Sequence, residues 1–204
     1  MVAKYVETFR TIAAPGEAVY TEKRSKFLAF ASHASDAAEA LDYVATLRKT
    51  YHDARHVCWA YTLGPSAEET RSNDDGEPSG SAGKPILGQL RSADVTYAVV
   101  AVVRYFGGVK LGTGGLAAAY KTAAAAALAN AQITEQTILA QLQVFAPFAD
   151  TDYCLRSARK VEAQIKSQTY TPDGSHIVFA VRESKLQTLR QILSQRHTLQ
   201  LDKL

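Results

Sequence analysis

RYFGGVKLGTGGLAAAY, which runs from Arg104 to Tyr120, is the stretch that decides the fold of this 204-residue chain. The apolar run VTYAVVAVV (95–103) precedes it, and an alanine-rich segment that ends near Asn130 follows it. A short apolar run rich in β-branched residues favours a buried strand, and alanine favours a helix. The stretch is therefore predicted to be the loop and helix start of a strand, loop and helix unit.

The glycine-rich segment (residues 106–115) has the chemistry of an anion site. Its five glycines let a ligand approach the backbone closely, and the start of the following helix offers unpaired N–H groups at its positive end. The glycine spacing matches neither the dinucleotide fingerprint nor the P-loop. The alternative is a tight connection whose glycines only permit close packing. The residues that we predict to bind an anion or nucleic acid are Lys84, Arg104, Lys110, Gly112, Thr113, Gly114 and Gly115.

The acidic segment (residues 74–85), DDGEPSGSAGKP, combines carboxylates, hydroxyls and a lysine at the end of a long connection. Asp74, Asp75 and Glu77 either structure this loop or hold a hydrated magnesium ion. Carboxylates beside serine and lysine could also support phosphoryl or hydrolytic chemistry, but no known nucleophile motif accompanies them. We therefore assign no catalytic residue, bound metal or cofactor, and a non-enzymatic protein is favoured over an enzyme.

The histidines and cysteines do not form a recognisable metal or disulfide pattern. His52 and His56 lie four residues apart, but a predicted helix end separates them and no third ligand is near in sequence. Either could act as a catalytic base, although packing or hydrogen bonding is the expected role. Cys58 and Cys154 are too few and too far apart in sequence for a disulfide framework, so we expect both to be reduced and packed.

The composition is that of a soluble globular protein with 47% hydrophobic residues. No apolar run approaches the length of about 18 residues that spans a bilayer, and the N-terminus lacks the apolar core of a signal peptide. We therefore predict a cytoplasmic protein with no membrane partner. The net charge of +3 comes from residues 138–204, which carry nine Lys and Arg against six Asp and Glu, so charge alone gives weak support for a nucleic-acid partner.

Hydrophobic periodicity predicts an α+β protein with two domains, residues 1–134 and residues 135–204. The first is predicted to be an α/β sandwich with one layer of helices against a sheet. Its predicted elements are strands 18–22 and 27–33, a helix from about 36 to 51, a strand 55–63, a short helix 85–91, a strand 95–103 and a helix ending near 130. Residues 64–73 are predicted to be a mobile loop, and residues 132–137 a short polar linker. The second domain has the order β-α-β-β-α-β, which is ferredoxin-like.

Three quoted segments together carry a resemblance to a known family. These are DARHVC (53–58), DDGEPSGSAGKPIL (74–87) and the stretch from Arg104 to Tyr120. The chain closely resembles the YigZ/IMPACT family, and the specific motifs fall between residues 53 and 120. Two departures stand out: Ser81 occupies a position where the family usually has Thr, and Ala118 one where it usually has a basic residue. The loss at Ala118 removes one phosphate contact that the resemblance would imply.

The resemblance implies both a fold and a function. It implies that the first domain is like domain IV of elongation factor G, and that the second is like a ferredoxin-like domain of the same factor. It also implies a translation-linked regulatory protein that binds RNA or a ribosome-associated partner through the basic glycine-rich cleft. Tyr105 and Phe106 could stack bases there, or pack at the strand end. An enzyme acting on a phosphorylated or nucleotide ligand and a protein-interaction module without nucleic acid are the alternatives. The oligomeric state stays open.

Overall fold

The structure is a computed structural model that describes residues 7–203. The chain divides into a first unit, Thr8–Gln136, and a second unit, which among the described residues consists of Glu7 and residues 137–203. In the described residues, the strands are β1 (Thr8–Ala14), β2 (Gly16–Glu22), β3 (Ser25–His33), β4 (His56–Leu63), β5 (Glu69–Asn73), β6 (Ala98–Tyr105), β7 (Gln132–Thr137), β8 (Leu139–Pro147), β9 (Gln164–Thr171), β10 (Gly174–Arg182) and β11 (Gln200–Lys203). The helices are α1 (Ala37–Thr50), α2 (Gly83–Ser92), α3 (Gly112–Asn130), α4 (Phe148–Lys160) and α5 (Glu183–Leu193).

Helices and antiparallel sheets are mixed in both units, which confirms the α+β class. The strand, loop and helix unit around the glycine-rich segment is also confirmed, since β6 leads through that segment into α3. None of the helices between residues 7 and 203 combines the length and apolar character needed to cross a bilayer.

The first unit is built on a five-stranded sheet with strand order β2-β3-β6-β4-β5. Its central strand β6 is apolar on both faces, with Val99, Val100 and Val102 fully buried. One face packs against α2 and α3, and the other packs against α1. The prediction of a single helix layer is therefore wrong, because a strand that is apolar on both faces needs both of them covered.

Two segments that lack apolar alternation nevertheless form strands. Residues 64–73 were expected to be a mobile loop, but β5 pairs with β4 in the register Trp59↔Asn73 to Leu63↔Glu69. The expected linker 132–137 is β7, which pairs with β1 in a two-stranded sheet. Both expectations are wrong for one reason: an edge strand is held by backbone hydrogen bonds and can remain polar, so its sequence carries no hydrophobic signal.

Helix α1 begins and ends as the sequence predicts, and it places one residue of the functional region. Asp36 is its N-cap and accepts a hydrogen bond from the Glu39 backbone N–H at 2.8 Å, while the Glu39 carboxylate accepts one from the Ser35 backbone N–H at 2.7 Å. This reciprocal pair fixes the start of the helix. Arg48 lies in its last turn, where the helix dipole favours a cation.

The second unit has the predicted element order, β8-α4-β9-β10-α5-β11. Its antiparallel sheet has the strand order β11-β8-β10-β9. Leu142 and Val144 of β8 and Phe179 of β10 form its core with residues of both helices, which include Cys154 and Leu189. These elements therefore enclose a hydrophobic core that is separate from the two cores of the first unit.

Candidate functional site

A cavity of about 410 Å³ opens in the first unit between the acidic segment and the glycine-rich segment. Its buried lining residues include Glu77, Arg104 and Leu116, which are between 5% and 8% exposed. Its exposed lining residues include Phe106 and Lys110 of the glycine-rich segment. The volume lies within the range of about 300–1,000 Å³ that is common for small-molecule sites. The two segments singled out in the sequence therefore form one concave site.

Glu77 is the centre of the buried part of this site. Its Oε1 accepts a hydrogen bond from Nη1 of Arg104 at 2.6 Å and another from the Tyr120 hydroxyl at 2.8 Å. Arg104 lies on β6 and Tyr120 on α3, so one carboxylate fastens the acidic segment to both elements. A buried ion pair of this kind is destabilising if either partner is removed, because the remaining charge has no partner.

The Arg104 guanidinium lies between two aromatic rings and retains a free donor. Its central carbon is 5.6 Å from the ring centroid of Phe27 and 5.6 Å from that of Phe106. Arg104 Nε is buried, and no residue in the described part of the chain accepts a hydrogen bond from it. An unsatisfied buried donor costs about 1–3 kcal/mol.

Asp74 caps the start of α2, although it lies eight residues before the N-cap position in the sequence. Its Oδ1 accepts hydrogen bonds from the backbone N–H groups of Ala82 at 2.9 Å and Gly83 at 2.8 Å, and its Oδ2 accepts one from Gly80 at 2.8 Å. Burial acts to raise the pKa of Asp74, but these three hydrogen bonds and the nearby charge of Lys84 outweigh it and lower the pKa. Asp74 is therefore an anionic cap of α2. The sequence alone could not assign this role, because the N-cap residue itself is Ala82 and Asp74 lies eight residues before it.

Asp75 binds α1 and β4 together. Its carboxylate accepts a hydrogen bond from the Val57 backbone N–H at 2.6 Å and forms an ion pair with Arg48. Its φ of 45° places it in the left-handed region that suits the Asp75-Gly76 turn. The Asp75 carboxylate is thus paired with groups of the protein itself and stabilises the fold.

His56 presents a basic nitrogen next to the cavity. Its Nδ1 lies 2.7 Å from the carbonyl oxygen of Asp75, which can only accept, so Nδ1 carries the proton and Nε2 holds a lone pair in the neutral ring. Nε2 is 3.9 Å from Oε1 of Glu77. Burial lowers the pKa of His56; the Glu77 charge opposes this effect, and nearby arginines reinforce it. The neutral form is therefore favoured near pH 7.

The three carboxylates of the acidic segment do not converge on a common point for a cation. Asp74, Asp75 and Glu77 each accept hydrogen bonds from a different set of protein donors. Between residues 7 and 203, no group of three or more His, Cys, Asp or Glu side chains is arranged to hold a metal ion. Of the two roles that the sequence left open for them, the geometry favours that of structuring the loop.

The glycine-rich segment offers an exposed helix start to the cavity. Helix α3 begins at Gly112 with no side-chain cap, and Gly112 and Thr113 line the cavity beside Lys110. Gly107 is needed for packing, because a Cβ there would overlap the backbone carbonyl group of Arg24. Close packing and an exposed helix start are thus both present, in different parts of the same segment.

The remaining predicted site residues lie outside the cavity lining. Gly114 and Gly115 belong to the next part of α3, and Lys84 is exposed on α2, where its charge acts on Asp74. Arg55, which also lines the cavity, was missed because one arginine before a strand carries no distinguishing signal. Tyr120 was quoted as the end of a motif but was given no role, since only the folded chain brings its hydroxyl to Glu77.

The family model described as the Impact N-terminal domain matches residues 23–128, which include the whole cavity. This match covers more than half of the chain. The chain belongs to the IMPACT family. The resemblance that the sequence motifs suggested is thereby confirmed, and the matched residues lie within the first unit.

Two bacterial members of the IMPACT family show how far the similarity extends. The chain is 34% identical over 134 residues to the IMPACT family member YvyE of Bacillus subtilis, a match that covers 66% of this chain and 62% of that protein. It is 40% identical over 117 residues to the IMPACT family member YigZ of Escherichia coli, which covers 56% of this chain and 57% of that protein. The matches therefore span about three fifths of the length of these relatives.

A solved structure extends the similarity to both units. The structure, described only as that of a hypothetical protein, has a TM-score of 0.72 and 30% sequence identity with this chain. The match covers 97% of this chain and 98% of the other chain. This IMPACT family member thus has the fold of that protein over nearly its whole length.

Proposed function

We propose that the protein is a translation-linked regulatory protein that binds RNA or a ribosome-associated RNA surface through the cavity. The observation that carries this proposal is the start of α3, which has no side-chain cap and lies at the cavity. Lys110 and Arg55 line the same cavity. Phosphate oxygens are the ligand that such donors suit best. A role of this kind places the protein in the cytoplasm.

The fold supports the same proposal at a finer level. The sheet order β11-β8-β10-β9 with two helices is the order expected of a ferredoxin-like domain, and we assign the second unit to that fold. For the first unit we propose the fold of domain IV of elongation factor G, a type of domain that occurs on ribosome-binding proteins. A shared fold does not fix the function, so the cavity must carry the argument.

The structure changes the way in which the predicted cations would act. Lys110 is exposed and free to contact phosphate, whereas Arg104 is committed to Glu77 through Nη1. Lys84 lies away from the cavity, so a phosphate contact by Lys84 would need RNA that extends beyond it. We therefore expect Lys110 and Arg55 to make the main phosphate contacts in the cavity, while Arg104 supports its wall.

The test is a salt series of RNA and ribosome binding by the double variant Arg55→Gln/Lys110→Gln. Each phosphate contact to single-stranded RNA contributes about 0.7 to the slope of log affinity against log salt, so the slope should decrease by roughly 1.4. The double variant Lys49→Gln/Lys121→Gln removes two exposed charges outside the cavity and serves as the matched control. Equal affinities for the wild type and the cavity variant would contradict the proposal.

A second candidate function, an enzyme acting on a phosphorylated or nucleotide ligand, is favoured by His56. The ring is held by Asp75, and its neutral form presents Nε2 at the wall of the cavity, as a general base requires. The measurement is turnover of nucleoside phosphates by the wild type and by His56→Gln. Turnover by the wild type that His56→Gln abolishes would favour the enzyme. No turnover by the wild type would contradict the enzyme and favour the binding proposal.

A further inference from the structure

We propose that the cavity receives a single nucleotide at a phosphorylated end of an RNA chain, rather than a continuous stretch of backbone. This inference rests on the proposed RNA-binding function and specifies its ligand. The cavity of about 410 Å³ lies within the volume range of small-molecule sites, and its lining combines cations, an exposed aromatic ring and a helix start. A chain end fits such a site because one nucleotide enters while the rest of the RNA leaves through the mouth.

The exposed part of the lining provides a place for the terminal phosphate. Lys110 and Arg55 supply two cations, and the α3 start supplies the N–H groups of Gly112 and Thr113. Helix α3 has 19 residues, so its dipole is fully developed at this end. A terminal phosphate carries more negative charge than a backbone phosphodiester, and it can accept more of these donors at once.

Phe106 provides a place for the base. Its side chain is 49% exposed and lines the cavity beside Leu111 and Leu116. The ring already contacts the Arg104 guanidinium, with 5.6 Å between the ring centroid and the guanidinium carbon. A nucleobase could stack on Phe106, since stacking of bases on aromatic side chains is a common mode of single-strand recognition. A flat apolar surface next to a phosphate site selects a nucleotide over a simple anion.

The buried part of the lining carries an independent indication of a ligand. Arg104 is only 6% exposed, and its Nε has no acceptor within residues 7–203. Glu77 and His56 lie next to it and add one acceptor and one ring nitrogen. A polar ligand in the cavity, or water held by that ligand, is one way in which the hydrogen bonding of such a donor is completed. The base edge or the ribose hydroxyls of the end nucleotide have that chemistry.

The experiment compares four forms of one ten-nucleotide RNA: 5′-phosphorylated, 3′-phosphorylated, with two hydroxyl ends, and circular. We expect one phosphorylated form to bind about tenfold more tightly than the hydroxyl and circular forms, as charge-assisted contacts to an added phosphate predict. The preferred position identifies the 5′ or the 3′ end. Uridine 5′-monophosphate should compete, and inorganic phosphate should compete much less.

Two variants assign the effect to the cavity. Lys110→Gln should remove the preference for a terminal phosphate, and Phe106→Ala should weaken binding of every linear RNA while leaving that preference in place. Val109→Ala is the matched control for Phe106, because Val109 is a neighbouring apolar side chain that is 41% exposed and does not line the cavity. Thermal melts establish that each variant is folded. We expect little change in melting temperature, because all three substituted side chains are exposed.

The outcomes separate this inference from the function on which it rests. Equal binding of linear and circular RNA, with both weakened by Arg55→Gln/Lys110→Gln, would overturn end recognition and leave RNA binding by the cavity intact. Binding of the mononucleotide without binding of any RNA would overturn both and indicate a free nucleotide as the ligand. Competition by inorganic phosphate as strong as that by the mononucleotide would overturn the role assigned to the base.

Discussion

The acidic segment and the glycine-rich segment face each other across one cavity, but they use their polar groups in opposite ways. In the acidic segment, the carboxylates of Asp74, Asp75 and Glu77 all bind donors of the protein itself. In the glycine-rich segment, Lys110 and the start of α3 are exposed to the cavity. One segment builds the wall of the site, and the other leaves its donors for a ligand.

The difference teaches that a density of functional groups in a sequence does not identify the residues that act on a ligand. The acidic segment is the richer of the two in ionisable side chains, yet its charges hold α1, α2, β4 and β6 in place. Substitutions in the acidic segment should therefore affect stability, and substitutions at exposed positions of the glycine-rich segment should affect binding. RNA binding by the Arg55 and Lys110 variants tests the second half of this division, and the measurements below test the first half.

The largest effect is expected in the reactivity of Cys58, which reports whether the acidic segment is closed. Its Sγ lies 3.0 Å from the Asp74 carbonyl oxygen, and burial raises the pKa of the thiol to about 12. At pH 8 alkylation in the folded protein should be on the order of a thousand-fold slower than that of an unperturbed thiol. Mass spectrometry of iodoacetamide adducts, with and without denaturant, measures this ratio. Rapid labelling of Cys58 in the native protein would show that the acidic segment opens readily.

Glu77→Ala should lower the free energy of unfolding by about 3–5 kcal/mol, because it leaves the Arg104 charge buried without a partner. Chemical denaturation followed by circular dichroism gives the value. The matched control is Glu135→Ala, which removes an exposed carboxylate and should change stability by less than about 0.5 kcal/mol. A loss of stability no greater than that of the control would contradict the structural role of Glu77.

Asp74→Ala should lower the free energy of unfolding by about 2–3 kcal/mol, since three backbone N–H groups at the start of α2 lose a charged acceptor. The lowered pKa of Asp74 means that its contribution is complete above the pKa of the unfolded state and is lost as the pH falls through the native value. Denaturation at pH 7 and at pH 3 measures both effects. A variant that loses equal stability at both pH values would contradict the role of an anionic cap.

Alanine substitutions at two glycines of the glycine-rich segment should change the stability of the protein in opposite directions. Gly107→Ala should destabilise the protein by roughly 1–3 kcal/mol, because the new Cβ meets the Arg24 backbone. Gly114→Ala should stabilise it by about 0.4–1 kcal/mol, since a Cβ there has no atom within 4 Å and the position is helical. Melting temperatures of the two variants give the comparison. Destabilisation by both would show that the helix start is packed more tightly than the structure indicates.

The smallest effect is expected in the pH dependence contributed by His56. Because burial lowers its pKa, the unfolded chain binds more protons at this site than the native protein does, so folding stability should fall as the pH drops through about 6.5. The charge of Glu77 opposes the shift, and the charges of Arg104, Arg55 and Arg48 add to it. Stability curves of the wild type and of His56→Gln between pH 5 and pH 8 isolate the contribution. A steeper decline in the variant would reverse the sign assigned to this histidine.

Much of the fold could be predicted from hydrophobic periodicity alone. The helix α1, the strands β2 and β3, and the β-α-β-β-α-β order of the second unit all follow from local patterns. The polar strands β5 and β7 could not be found in this way, because backbone pairing at a sheet edge leaves no mark on side-chain hydrophobicity. The helices on both faces of the larger sheet are another feature that only the packing of β6 revealed.

The sequence by itself determined the family, the α+β class and the two segments that border the cavity, because long motifs and hydrophobic periods are local properties of the chain. Only the tertiary structure decided the role of each charge. Arg104 and Lys110 are both cations of one stretch, but Arg104 is buried against Glu77 and Lys110 is exposed at the cavity. Burial and pairing determine whether a charge stabilises the fold or remains available to a ligand, and both arise only when distant segments meet.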